Sequence, residues 1–161
     1  AGKGVEKVTV DDATAFLARF APSKSVAAGA YATVEATRLA PGHKNYNRWE
    51  INGSEGSLAF CFERMNELQY CNRNDPADKP GFKTIMCTEG SHPYVSAWWP
   101  PGHVIGYEHT FVHTVADFVN AVAGNTDVHA DFLDGAKCVA VLEAAAKSNK
   151  TKGWVKVPGI K

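Results

Sequence analysis

The apolar positions of this chain change their spacing partway along. Between residues 26 and 37, Val26, Ala28, Ala30, Ala32, Val34 and Ala36 alternate with Tyr31, Thr33, Glu35 and Thr37. A period of two places small apolar side chains on one face of an extended segment and polar or aromatic ones on the other. Strands are therefore expected within 8–20 and 26–39. The clusters Ala-Pro-Ser-Lys-Ser at 21–25 and Ala-Pro-Gly-His-Lys at 40–44 supply turn formers on either side of the second strand. Further strands are expected at 46–52, 57–64, 67–71 and 82–87, with Gly53 and Gly56 bounding a tight connection and 72–81 forming a polar loop. The order reads as an antiparallel meander.

Beyond the loop at 88–106 the period lengthens. Phe111, Val112, Val115, Phe118, Val119 and Val122 recur at three and four, which predicts an amphipathic helix, and Gly124 stands where a helix C-terminus favours positive φ. A second helix is expected over about 133–148, with Val139, Leu142, Ala145 and Ala146 on its apolar stripe and Asp131 or Asp134 as N-cap. Trp154, Val155 and Val157 predict a short final strand. Strands first and helices later, without β-α-β alternation, indicate an α+β fold. The expected form is an open, mostly antiparallel sheet covered on one face by helices, with the other face free for assembly or substrate.

Composition narrows the function classes. The 161 residues, 45% of them hydrophobic, fit one domain spanning 1–161. Seventeen basic and seventeen acidic side chains cancel, so no whole-chain field attracts nucleic acid or an anionic membrane. The apolar runs are far shorter than the roughly 20 residues of a membrane span. Lys3, Glu6 and Lys7 leave no apolar core for a signal peptide in the first ten residues. Cys61, Cys71, Cys87 and Cys138 form no C-x-x-C pair and read as reduced, structural thiols, which points to a cytoplasmic setting.

The string Trp49-Glu-Ile-Asn-Gly-Ser-Glu-Gly-Ser-Leu58, followed by Glu63-Arg-Met-Asn-Glu-Leu68, resembles the C-terminal domain of the Gfo/Idh/MocA oxidoreductases. Val8-Thr-Val-Asp-Asp12, Ala36-Thr-Arg38 ahead of Pro41-Gly42, the stretch from His103 to Tyr107, Asp117-Phe118 and Ala130-Asp-Phe-Leu-Asp-Gly135 follow in the order the resemblance requires. It implies a two-domain enzyme acting on a sugar, inositol or related polyol. A Rossmann domain would hold NAD or NADP, while a C-terminal domain would support the substrate and carry homo-oligomer contacts through its open sheet face.

This chain matches the second domain only. A dinucleotide site needs a strand, a glycine-rich turn and a helix whose N-terminal amides meet the phosphates. Gly2-Lys-Gly4 lacks the strand and the third glycine, and Gly53 and Gly56 belong to a hairpin. The resemblance also places the catalytic lysine, in a Glu-Lys-Pro motif, and an aspartate and histidine outside this chain. Asp78-Lys79-Pro80 imitates the lysine motif but sits in a polar loop and reads as a solvated turn. The chain alone is expected to be inactive and to bind no NAD(P).

Arg38, His43 and Asn45, with Lys44 and Asn47, group several hydrogen-bonding side chains around one turn, an arrangement suited to polyol hydroxyls. The resemblance adds the loop before the long helix, with Trp98, His103 and Tyr107 as an aromatic and polar wall for a sugar ring. The alternative is that Arg38 and His43 cap a strand end and that Trp98 and Trp99 fill an apolar gap. His109 and His113 stand four apart on the expected helix, a metal-ligand spacing, yet Thr110 replaces the glutamate of H-E-x-x-H and no third ligand is evident. A helix face is favoured over a metal site. Asp11 and Asp12 point to opposite faces if extended and make no acid and base pair. Two other functions stand beside the dehydrogenase part: a stand-alone binding or assembly module, and a metal-dependent hydrolase built on His109 and His113.

Overall fold

A computed structural model describes residues 4, 6–124, 126, 127 and 130–160; Gly2 and Lys3, named above, lie outside the described residues. In chain order the elements are β1 (Ala13–Arg19), β2 (Tyr31–Thr37), β3 (Arg48–Asn52), β4 (Gly56–Cys61), β5 (Glu67–Asn72), β6 (Lys83–Met86), α1 (Tyr107–Val122) and α2 (Phe132–Thr151). Short 3-10 turns occupy Phe62–Arg64 and Val95–Ala97. The fold is α+β with antiparallel sheets, as the spacing predicts. Its strands fall into a two-stranded and a four-stranded sheet. The chain clusters into two compact units, Ala1–His43 with Phe132–Lys161, and Lys44–Asp131.

In the first unit β1 and β2 pair from Ala13 opposite Thr37 to Arg19 opposite Tyr31. This register puts Phe16 and Ala18 on the same face as Val34 and Ala32, and Phe16, Ala18 and Ala32 are half-buried there. Both strands are shorter than the alternation suggests. Val8 and Val10 are exposed and outside β1. Residues 26–30 turn instead of extending: Ser23 N–H donates to Val26 O at 2.9 Å, Ala30 N–H to Ala27 O at 3.2 Å, and Gly29 takes φ 84°. Positive φ suits glycine, which has no Cβ to clash, and it ends the alternating run.

Helix α2 forms where it was expected, but a different stripe is buried. Ala140 and Ala144, one turn apart, are buried, whereas Val139 and Leu142 are 54% and 60% exposed. Asp131 directly precedes the helix, and Asp134 lies inside its first turn, 3.0 Å from Lys137 Nζ. No final strand forms among the described residues: 154–160 joins no ladder. Trp154 is held differently, with the Arg19 guanidinium 5.2 Å above its ring.

In the second unit the sheet order is β3-β4-β5-β6. The β3–β4 connection closes with Gly53 N–H donating to Gly56 O at 2.8 Å. Gly56 has φ 157°, and a Cβ there would lie 2.2 Å from Cys71 O on β5. Register separates two faces. Arg48, Glu50 and Asn52 align with Cys61, Ala59 and Ser57, and then with Gln69 and Thr84. This face is polar and internally paired: Arg48 to Glu50 at 2.7 Å, Ser57 Oγ to Asn52 Oδ1 at 2.6 Å, and Gln69 Nε2 to Thr84 Oγ1 at 2.9 Å. The opposite face carries Trp49, Ile51, Leu58, Phe60, Leu68 and Ile85.

In the polar loop, Lys79 N–H donates to Pro76 O at 2.8 Å, so Asp78-Lys79-Pro80 does lie in a turn. Cys61, Cys71 and Cys87 are half-buried free thiols; Cys138 is free but exposed, against the expectation of burial. Among the described residues no helix is long and apolar enough to cross a membrane.

Candidate functional site

The turn that follows β4 organises the second unit. Glu63 Oε1 accepts the N–H groups of Lys44 (2.7 Å) and Asn45 (3.0 Å), drawing the start of the unit onto Phe62–Arg64. The Phe62 ring meets Tyr107 edge to face, with centroids 5.8 Å apart and planes at 89°, and Tyr107 packs on Phe111 in the same way at 5.1 Å. Asn66 completes the gathering. Its Nδ2 donates to Ile105 O at 2.9 Å and its Oδ1 accepts Ile105 N–H at 3.0 Å, so one side-chain amide satisfies both polar groups of one peptide residue. Asn66 O also accepts Cys87 N–H at 2.8 Å, tying the same turn to the end of β6.

Helix α1 begins immediately afterwards. Gly106 N–H donates to His109 Nδ1 at 3.1 Å, satisfying an amide at the helix start. His109, His113 and Asp117 recur every fourth residue and so share one stripe of the helix. This stripe holds the segment 94–98. Trp98 Nε1 donates to His113 Nε2 at 2.7 Å, and the Trp98 ring lies 4.5 Å from His109, edge to face at 71°. Tyr94 stacks on His113, with centroids 4.2 Å apart and planes at 12°, and donates its hydroxyl to Asp117 Oδ2 at 2.8 Å.

Tyr94 adopts φ 66°, a conformation that bulky residues resist, so these contacts hold it against a local backbone cost. Its phenol is pushed above the ordinary 10.0 because the neutral hydroxyl donates to Asp117, with burial and the Asp117 charge acting in the same direction.

The apolar stripe of α1 lies on the opposite side from these contacts and is exposed, Phe118 by 68%. The amphipathic pattern located the helix correctly. Within this unit the polar stripe packs on the 94–98 segment, while Tyr107 at the start of the helix meets Phe62.

Four of the residues expected to bind substrate lie in this unit. Asn45 is fixed through its backbone by Glu63. Tyr107 is exposed beside Phe62. His103 is exposed, its N–H donating to Pro100 O at 3.3 Å and its Nδ1 lying 2.9 Å from the same oxygen. Trp98 is half-buried with its N–H engaged by His113, whereas neighbouring Trp99 is 53% exposed.

Arg38 and His43 belong to the first unit: Arg38 N–H donates to Asp12 O at 2.8 Å and His43 N–H to Ala40 O at 3.0 Å. The His109 and His113 pair, spaced for a metal, faces Trp98 instead. Glu63, Asn66 and Tyr94 gave no sign of their roles in hydrophobic spacing. Glu63 and Asn66 did stand inside the string Glu63-Arg-Met-Asn-Glu-Leu68 that carries the family resemblance.

Among the described residues no glycine-rich turn joins a strand to a helix N-terminus. Every strand pair is antiparallel, and α1 follows the 94–105 loop, not a strand and glycine-rich turn. The Gly106 amide at the helix start is already taken by His109. What the second unit does offer is hydrogen-bonding groups and exposed aromatic rings at Asn45, Trp99, His103 and Tyr107, suited to a ligand with both hydroxyl edges and C–H faces.

No family model matches the chain. Levoglucosan dehydrogenase of Pseudarthrobacter phenanthrenivorans is 40% identical over 154 residues, which is 95% of this chain and 38% of that enzyme. The solved complex of levoglucosan dehydrogenase with NADH and levoglucosan superposes with a TM-score of 0.86 at 40% identity, covering 95% of this chain and 40% of that one. An oxidoreductase domain protein from Kribbella flavida gives a TM-score of 0.85 at 47% identity, with 94% and 39% covered. The chain therefore spans about two fifths of the length of these relatives.

Proposed function

We propose that this chain is the C-terminal, substrate-contacting domain of a Gfo/Idh/MocA oxidoreductase that acts on a sugar or related polyol with NAD or NADP. The observation that carries the reading is the match, along 95% of the chain, to an enzyme structure holding NADH and levoglucosan. The local chemistry supports it: Asn45, His103 and Tyr107 supply hydrogen-bonding side chains, and Trp99 and Tyr107 supply exposed ring surface. In this reading the chain binds and orients the sugar. Nicotinamide binding and proton transfer belong to a nucleotide-binding domain, which the relatives' greater length accommodates. Within the first unit by itself, Arg38 and His43 are proposed as hydroxyl-binding side chains.

The same reading includes a cytoplasmic enzyme that assembles into a homo-oligomer through its open sheet face. The nucleotide is tested by titrating NADH fluorescence with the chain alone and with a protein in which the chain follows a nucleotide-binding domain. Binding is expected only in the second case; micromolar binding by the chain alone refutes the division of labour. Light scattering of that longer protein tests the assembly, and a monomer at high concentration counts against it.

A further inference from the structure

Residues 99–104 form an arch whose two feet are fixed by side chains from different elements. At one foot, the half-buried Trp98 donates its indole N–H to His113 Nε2 at 2.7 Å and sets its ring against His109 at 4.5 Å. At the other, Asn66 grips both the N–H and the C=O of Ile105, at 3.0 and 2.9 Å. Between them, Pro100 and Pro101 restrict φ, and His103 N–H closes a turn onto Pro100 O at 3.3 Å. The exposed side chains between the feet include an aromatic ring, Trp99, an imidazole, His103, and the apolar Val104.

We propose that His113 and Asn66 are positioning residues for this arch, and that the arch presents Trp99 and His103 to the C–H face and the hydroxyls of the substrate. The inference rests on the sugar-binding reading given above. Holding a loop in its bound shape removes the ordering cost that a flexible loop pays on binding, so the feet act on substrate affinity without touching substrate. Because an indole nitrogen only donates, His113 must offer a lone pair at Nε2, which assigns its ring proton to Nδ1. Asn66 cannot be replaced by its isostere: a carboxylate at Asn66→Asp retains an acceptor for Ile105 N–H but sets a second oxygen against Ile105 O.

The test pairs a local readout with a kinetic one. Trp49, Trp98, Trp99 and Trp154 supply four indole N–H signals in a proton–nitrogen spectrum, and Trp98→Phe identifies the one from Trp98. That signal is expected to be protected from solvent exchange in the chain, to lose protection in His113→Ala, and to regain it in His113→Gln, whose amide oxygen restores an acceptor.

In the protein carrying both domains, His113→Ala and Asn66→Asp are each expected to raise the KM for sugar by about tenfold or more. kcat should stay within about twofold, and His113→Gln should recover most of the loss. An unprotected Trp98 indole in the native chain overturns the clamp. So does an unchanged KM in a variant whose indole has been released. Failure of the two-domain protein to turn over any sugar, with the indole still protected, instead sinks the sugar-binding reading and the positioning role with it.

Discussion

Gly56 offers the sharpest stability test of the sheet beneath the candidate site. It has φ 157° and is paired opposite Asn72, and a Cβ at this position would lie 2.2 Å from Cys71 O. That atom is backbone within a paired strand, so it cannot swing aside as a flexible side chain would. An alanine must keep a conformation hostile to L residues, at about 1–3 kcal/mol, and also push β4 from β5. Moving the strands threatens the Gly56–Asn72 pairing and the adjacent bond from Arg73 N–H to Glu55 O at 3.0 Å, at about 0.5–1.5 kcal/mol for each hydrogen bond.

The combined expectation for Gly56→Ala is a loss of about 2–5 kcal/mol. Gly53, at the other end of the same connection, is the control. Its Cβ would meet only Gly56 O, at 3.5 Å, and its φ lies outside the positive range, so Gly53→Ala should change stability by no more than about 1 kcal/mol. Urea unfolding followed by circular dichroism separates the two. With a urea dependence of about 1–3 kcal/mol per molar, the midpoint of Gly56→Ala should fall on the order of 1–2 M below that of Gly53→Ala. Midpoints that coincide would refute the steric argument.

Two further outcomes follow from the loop anchors. Glu63→Ala removes the acceptor shared by the Lys44 and Asn45 amides and should speed their hydrogen exchange, at about 1–2 kcal/mol; Glu63→Gln should retain most of the protection, and equal exchange in both variants would separate Glu63 from the turn. Tyr94 should ionise above the ordinary 10.0 because its neutral form is the one that donates to Asp117. The stability it contributes is thus complete below the unfolded phenol's pKa and is lost as pH rises through the higher folded value. Ultraviolet titration of the phenolate should show one late-ionising tyrosine that returns toward normal in Asp117→Asn.

The sequence patterns located all six strands and both helices, four of the strands closely and β1 and β2 as longer runs, because residue spacing and turn formers report directly on which residues share a face and where the chain reverses. Their limits are equally physical. Residues 26–30 continue the alternation on paper, but Gly29 at φ 84° bends the chain before β2 begins. Trp154, Val155 and Val157 have strand-forming side chains and no neighbouring ladder to join. On α2, Val139 and Leu142 are the more apolar residues, yet Ala140 and Ala144 are buried, since a hydrophobicity pattern carries no information about how closely a partner approaches.

The site was legible in part. Asn45, expected from its hydrogen-bonding chemistry, and His103 and Tyr107, expected from the resemblance, lie at the Glu63 turn, in the arch and beside Phe62. Trp98 was chosen as an exposed wall, but its indole is spent on His113, a contact between residues 15 apart in sequence that no local spacing encodes. Asn66 escaped notice for the same reason, since its partner, Ile105, is 39 residues away.

In the proposed function this chain orients a sugar for a nicotinamide-dependent reaction whose nucleotide is held elsewhere. The most direct measurement is the absorbance at 340 nm of NAD or NADP incubated with levoglucosan, other sugars and inositols, comparing the chain alone with the protein in which it follows a nucleotide-binding domain. Reduced nucleotide is expected from the two-domain protein with at least one of these substrates and none from the chain alone. Turnover by the chain alone, or none from a two-domain protein that binds NADH, would contradict it.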